Sequence, residues 1–551
     1  MKWSSILCIL TIITSTQFNH TFAQCSWING SDASDVSDAD GWSVTYDIAN
    51  NYYITGAFKE SMSAGGISFT TPATANAFFA AKYDTDGNIV WGKTIETIDP
   101  AIAFPPKVDY ANDKIYIAGA SNGSIIIEGT TYGSGSHYNV FLIAITKEGV
   151  FDFVKIFKDS SATSLVYTGG LTHDAAGNMY MTGRFNGYLF MDGETLVSAS
   201  STTFVSKLTA SGDVVWANKT ASPGSSTSRG WGITVDNTNN VLLGGYFVNT
   251  LSYDTCNLSV TTAAGFNPYL IKIDVSGNCT WMKIGDGVQE FSHVYDVLTD
   301  AANNVYACGG YSGTLTWDGV SITDTGGPVF LVKSDASGNI KWVKNYGTFY
   351  AGSNGATAIS FDTTGNIWMT GFQEGTSVYG GITLNNEGVF AVLLDTSGTV
   401  LKAVSGNGLA KSFASTTDAG NDLVVTGKAI GDTISFPGDV FYYPTDSSDG
   451  FFILKYCSDD TSVSIFSLNG YEKMIVYPNP AKNEFLVEIS SEGAEEAVVS
   501  VYDVTGRKVR SFIQFINDGM NRIPVSIEQP GYYLIRVHTT TKQFAGKVLI
   551  E

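Results

Sequence analysis

The chain has 551 residues, 13% of them aromatic and only 15% charged, with 59 glycines and a formal net charge of −21. A single hydrophobic core stops growing near ~250 to 300 residues, so this length calls for several units or a repeat array. Beyond a short N-terminal stretch no apolar run reaches the ~18 to 20 residues of a membrane helix, which excludes an integral helical membrane protein for the mature chain.

The first element is a leader. Lys2 precedes an apolar region at 6–13, and Thr21-Phe22-Ala23 places small residues at −3 and −1 before Gln24. This pattern predicts a signal peptide over 1–23, cleaved after Ala23. Gln24 is a poor residue ahead of a lipidated cysteine, so Cys25 is not expected to carry lipid. Export makes disulfides permissible. The mature chain keeps Cys25, Cys256, Cys279, Cys308 and Cys457, an odd set without zinc-ligand spacing that allows at most two bridges and one free thiol.

Next comes a Ser/Asp-rich loop carrying Asp32, Asp35, Asp38 and Asp40 just before Gly41. Its hard oxygens suit calcium. Val36 stands where the calcium-loop pattern expects an acid, so the alternative is a solvated loop. No other cofactor is expected.

From residue 24 to 457 the chain repeats itself. The marker D-x-x-[GN]-[ND] begins at Asp47, Asp109, Asp174, Asp236, Asp300, Asp362 and Asp418, in steps of 62, 65, 62, 64, 62 and 56 residues. Nine or ten residues after each Asp a glycine ends an apolar strand: Gly56, Gly119, Gly183, Gly245, Gly309, Gly371 and Gly427. A third marker joins two strands through a polar turn and ends in Trp, as in Phe79 to Trp91, Phe204 to Trp216, Tyr269 to Trp281 and Phe330 to Trp342. Each unit therefore holds four short strands, A to D. Seven such units predict a seven-bladed β-propeller, whose closure removes exposed sheet edges. Asp at the head of a tight turn accepts turn N–H groups, and Gly or Asn tolerates positive φ, so the repeated Asp are assigned to structure.

The units resemble the bacterial secreted β-propeller repeat family, whose blades carry D-x-x-G-N-x-Y-[IV]-T-G. Asp174 to Gly183 is the nearest copy and Asp362 to Gly371 the next. That resemblance covers about 430 residues and implies a scaffold, without a single activity.

Ring closure follows from a missing strand. The seventh unit supplies strand C at 452–456, but no Trp follows; Cys25-Ser26-Trp27 matches Cys279-Thr280-Trp281 instead. The first strand of the mature chain should complete the last blade. Cys25 and Cys457 would then face each other and form a disulfide across it. The rival is an outer strand from 462–466, which leaves both cysteines apart.

A linker is expected over 458–472, followed by seven short apolar runs over 473–551 that suit a small Ig-like β-sandwich. Four blocks lie there in order: Val476-Tyr477-Pro478-Asn479-Pro480, Val501 to Gly506-Arg507, Gly531-Tyr532 to Val537, and the terminal Lys547 to Glu551. Together they resemble the type A sorting domain of type IX secretion. The resemblance implies passage through the periplasm, recognition by the type IX machinery at the outer membrane, and release or surface attachment.

Outside the leader and 472–551 there are 42 acidic and 21 basic side chains. That field repels phosphate backbones and argues against nucleic acid. Only His137, His173, His293 and His538 remain after the leader, and no nucleophile elbow, phosphate loop, metalloprotease helix or dinucleotide fingerprint appears. His293 with Asp286 and Glu290 suggests acid/base or metal chemistry, against a surface histidine in an acidic loop. So many acids preclude choosing a catalytic pair, and no catalytic residue is nominated. The expected function is a surface-displayed or secreted binding or adhesion module for a glycan or protein ligand. The alternatives are a polysaccharide-active enzyme using carboxylates on the variable face and a passive surface or matrix component. That variable face is the one shared by the D-to-A connections and the long B-to-C insertions, whereas the A-to-B and C-to-D turns are tight and repeated.

Overall fold

The computed structural model describes residues 26–550 apart from 32–37, 72–75, 98–103, 134–136, 160–164, 223, 225, 260–264, 288–291, 325–328, 348–354, 431–432, 438, 443–448, 458–471, 492, 504–507, 528 and 540–541. Every regular element among the described residues is a β-strand, and none of them forms a helix long and apolar enough to cross a membrane.

The all-β propeller expected from the repeat is present as seven four-stranded units. Their strands A are Ala39–Tyr46, Phe104–Ala111, Val166–His173, Thr227–Val235, His293–Thr299, Ala356–Phe361 and Ala410–Thr417. In each unit A pairs with B, B with C, and C with D. Each strand A also lies beside strand A of the next unit, and the seventh lies beside the first, so the ring closes. Blades packed on both faces need strands apolar on both faces. Strands C at Asn267–Ile273 and Gly450–Tyr456 are accordingly buried at every residue.

The repeated Asp build turns. In the fourth unit Asp236 Oδ1 accepts the N–H groups of Thr238 and Asn240, and Oδ2 meets Lys272 at 2.8 Å. Asp47, Asp174 and Asp418 head equivalent turns and, like Asp236, are at most 4% exposed. The second unit departs from the expected pattern. Its turn falls at Asn112 and Asp113, both at positive φ, so Asp109 stays within the strand and meets His173 Nδ1 at 2.7 Å instead.

Closure is as the missing strand requires. Trp27–Gly30 pairs antiparallel with Gly450–Tyr456, placing Trp27 opposite Lys455. That register repeats Lys82 opposite Trp91 and Lys272 opposite Trp281. The Trp27 indole donates to the Thr85 carbonyl of the first blade, as Trp91 donates to Lys147, Trp216 to Val275 and Trp281 to Ala336. A Cβ on Gly87, at φ 82°, would lie 2.6 Å from the Trp27 ring, so the turn glycine serves both its own backbone and the neighbouring blade. Cys457 is disulfide-bonded, and its N–H donates to the Ser26 hydroxyl. Cys25 lies outside the described residues, as do the leader, Asp32, Asp35, Glu290, Gly506, Arg507 and nearly all of the linker.

In the third unit strands B and C themselves lengthen into a hairpin, Met179–Met191 with Glu194–Leu208. The other six B-to-C connections each form a further two-stranded hairpin, beyond the four strands per unit expected from sequence. Thr250–Tyr253 with Cys256–Ser259 is one, and the Cys256–Cys279 disulfide ties it to strand D of its own blade. Cys308 is a buried free thiol.

The C-terminal residues fold as the expected β-sandwich of a five-stranded and a three-stranded sheet around Phe485, Val487, Val499, Ile535 and Phe544. Both X-Pro bonds of Tyr477-Pro478-Asn479-Pro480 are cis. The Asn479 side chain donates to the Lys547 carbonyl and accepts from Leu549 N–H. The Tyr-Pro-Asn-Pro block thus clasps the last strand, which explains why it accompanies the terminal block. Tyr477 donates to Glu488, Gly531 opens a strand, and Tyr532 is exposed.

Candidate functional site

All seven strands A carry a β-bulge near their start, on the side of the D-to-A connections. The repeated glycine of strand B makes this possible. A Cβ on Gly56, Gly183, Gly245, Gly309 or Gly427 would meet a strand A carbonyl at 1.8–2.0 Å. Only a residue without a side chain lets the bulged strand come so close. A bulge re-aims one side chain away from its ladder. Here the bulged residues are Trp42, Gly169, Trp231, Tyr295, Thr357 and Phe413, with prolines in the second unit.

The central channel, lined by all seven strands A and holding about 380 Å³, includes Gly169, Trp231, Tyr295, Thr357 and Phe413 in its wall. Trp42 stacks on Phe413 with centroids 4.2 Å apart and planes at 10°. Trp231 meets Tyr295 edge-on at 5.9 Å. The mouth is therefore an aromatic rim, broken where Gly169 and Thr357 replace rings.

The residue after each bulge is mostly small: Ser43, Gly170, Gly232, Ala358 and Ala414. Lys107 and Asp296 are the exceptions, bringing one ammonium and one carboxylate into the channel. Both are reached by water but walled by protein. Burial pushes the Asp296 carboxyl up to about 6, against hydrogen bonds from Ile359 and Val297 N–H and the pull of Lys107. Burial likewise brings Lys107 down to about 8, against the pull of Asp296.

Beside the rim, cations meet aromatics. The Arg229 guanidinium lies 3.4 Å from the Trp231 ring centroid and 5.1 Å from that of Tyr167, and Arg184 lies 4.0 Å from the same Tyr167. Burial, then repulsion by Arg184, lowers Arg229 to about 10. Arg229 Nε and Trp231 Nε1 are shielded from solvent without a hydrogen-bond partner.

His293 is the nominated histidine, and Glu290 of its suggested set lies outside the described residues. It starts strand A of the fifth unit among Tyr246, Phe266 and Tyr295, at centroid distances of 4.5, 5.2 and 5.6 Å. Its Nδ1 lies 3.1 Å from the Tyr295 hydroxyl. Burial, then Arg229, lowers it to about 4. Asp286 lies on strand D of the fourth blade, opposite Thr316.

Of the acidic loop, Asp38 and Asp40 both lie 3.3 Å from Lys428 Nζ, with Asp449 at 2.6 Å. The ammonium supplies a cation to these acids at the seam between the seventh and first blades. Among the described residues no group of three or more His, Cys, Asp or Glu is placed to hold a metal ion.

Sequence reasoning overlooked Trp42, Trp231, Tyr295 and Phe413. All four stand five residues before a repeated Asp, so the period locates them once the bulge is known.

Residues 475–551 match the family described as the secretion system C-terminal sorting domain. No curated protein matches the chain in sequence. Among solved structures, a Dyadobacter fermentans protein of unknown function is 11% identical, at a TM-score of 0.35, over 64% of this chain and 95% of its own. An exo-β-1,3-galactanase from Clostridium thermocellum is also 11% identical, at 0.27, over 88% and 95%. NanB sialidase from Streptococcus pneumoniae is 9% identical, at 0.28, over 95% and 94%. At such scores these likenesses carry nothing about activity. The family match, with the Tyr-Pro-Asn-Pro clasp on the final strand, makes residues 475–551 a type IX secretion sorting domain, through which the chain is exported to the cell surface or beyond it.

Proposed function

We propose that the propeller is a glycan-binding module, displayed or released by its sorting domain and acting in adhesion or glycan recognition. The aromatic rim carries this reading. Trp231, Tyr295 and Phe413 are turned toward the channel by bulges, with Trp42 stacked on Phe413, and they present broad apolar faces beside polar groups, the composition that small-ligand sites favour. A volume of about 380 Å³ falls within the ~300 to 1,000 Å³ typical of such sites.

A polysaccharide-active enzyme is the second reading, and Asp296 is what favours it. A carboxyl raised to about 6 suits a general acid. Glycoside chemistry needs a second carboxylate. Asp109 is the other one in the channel wall, and it is engaged by His173.

A glycan array followed by titration and product analysis separates the readings. Binding without turnover, weakened at least about tenfold by Trp231→Ala, is expected from an anchoring aromatic. Product release abolished by Asp296→Asn establishes the enzyme, and silence in both assays leaves a passive surface component.

A further inference from the structure

The ring is acidic overall, yet two arginines gather beside its mouth. Arg184 and Arg229 are the only arginines between residues 24 and 471, and they converge on one ring, Tyr167. They come from different strands: Arg184 faces Tyr167 across the A and B strands of the third blade, and Arg229 starts the fourth. Lysines elsewhere in the propeller find acids, as in Lys93–Glu128, Lys155–Asp213 and Lys283–Asp318. Among the described residues neither Arg184 nor Arg229 makes an ion pair. Two guanidinium groups held together without a counter-ion repel each other, and a shielded donor without an acceptor is costly. The adjacent Trp231 Nε1 is a second such donor. Lys107 in the channel below is answered by Asp296, so the unanswered positive charge lies with the two arginines.

We infer that this corner of the mouth is an anion subsite for an acidic saccharide, carboxylated or sulfated, whose oxygens bridge Arg184 and Arg229 while a sugar face rests on Trp231. This rests on the glycan-binding reading and names its ligand class. The guanidinium is suited to this task because its planar fork pairs two N–H groups with two anionic oxygens and its face stacks on aromatics. Arg229 lies over Trp231 in this manner. An acid on the sugar also selects against neutral glycans, because without it the two arginines stay unpaired on binding.

Calorimetric titration with uronate oligosaccharides and sulfated galactan oligosaccharides, each beside its carboxyl-reduced or desulfated counterpart, tests the subsite. An acidic form should bind at least tenfold tighter than its neutral counterpart, and the difference should shrink between 50 and 500 mM salt. Arg184→Gln and Arg229→Gln should each cost at least tenfold on the acidic form and several-fold less on its neutral counterpart, so that the acidic preference collapses, with melting temperatures confirming that both variants fold. Which counterpart loses affinity tells carboxylate from sulfate. Equal affinity for acidic and neutral forms, with Trp231→Ala still weakening both, overturns the anion subsite and preserves the glycan reading. If no saccharide binds, or if only an acidic peptide does, both are overturned.

Discussion

The two faces of the ring use polar residues in opposite ways. On the turn face Asp47, Asp174, Asp236 and Asp418 sit almost fully buried, each carboxylate accepting several hydrogen bonds. At the mouth Arg184 and Arg229 face one tyrosine without a counter-ion among the described residues, and two shielded N–H groups lack an acceptor there. The recurring turn carboxylates are satisfied by the scaffold. Arg184 and Arg229, which occur at one place only, are paired with aromatic faces and not with acids among the described residues, the pattern expected where local consistency yields to function.

The largest effect expected from this contrast lies on the satisfied face. Asp236→Ala strands the buried Lys272 ammonium and frees the turn N–H groups, and should cost about 3 to 5 kcal/mol, read as a shifted urea midpoint. A loss below about 1 kcal/mol would show that the repeated Asp are dispensable.

The faces should also separate along the pH axis. Burial raises the Asp236 carboxyl, but hydrogen bonds from Lys272, Asn240 and Thr238 outweigh it and hold it at about 2. Its folded pKa is depressed, so its stabilisation is present above about pH 4 and lost as pH falls toward 2. At the mouth, burial and then Arg229 take His293 from 6.5 to about 4. The folded protein there prefers the neutral ring, so stability falls as pH drops from about 6.5 to 4. Asp296, raised by burial to about 6, gains stability over the same fall in pH and opposes the upper decline. Each contribution is therefore read as a difference from the unsubstituted protein: His293→Gln should change melting temperature against pH only between about 6.5 and 4, and Asp236→Asn only below about 4. A single window for both variants breaks the comparison.

The smallest expected effect is the most pointed. Arg229→Gln removes a charge that is repelled by Arg184 and, among the described residues, makes no ion pair, and it also removes the stacking on Trp231, so stability should fall by no more than about 1 kcal/mol. A loss above about 2 kcal/mol in thermal or urea unfolding would make Arg229 a structural residue.

The scaffold was legible because each blade repeats its physical constraints. Asp marks the turn, Gly admits the bulge, and Trp seats against the next blade, so the missing Trp of the seventh unit located its donor at Trp27. The second unit was misread because Asp109 imitates the marker while Asn112 and Asp113 make the turn. The site was legible only in part. The variable side followed from loop lengths, but the inward-facing residues depend on a bulge that moves one side chain from ladder to channel. Sequence alternation alone does not reveal that shift. Arg184 and Arg229 lie 45 positions apart and meet only through the packing of two blades.

Tryptophan oxidation footprinting with bound glycan, read by mass spectrometry, sets the faces against each other most directly. Trp42 and Trp231 border the mouth, and Trp91 lies in a groove of the turn face. Ligand should protect Trp42 and Trp231 and leave the oxidation rate of Trp91 unchanged. Protection of Trp91 with Trp42 and Trp231 still reactive would place binding on the repeated face and contradict the account.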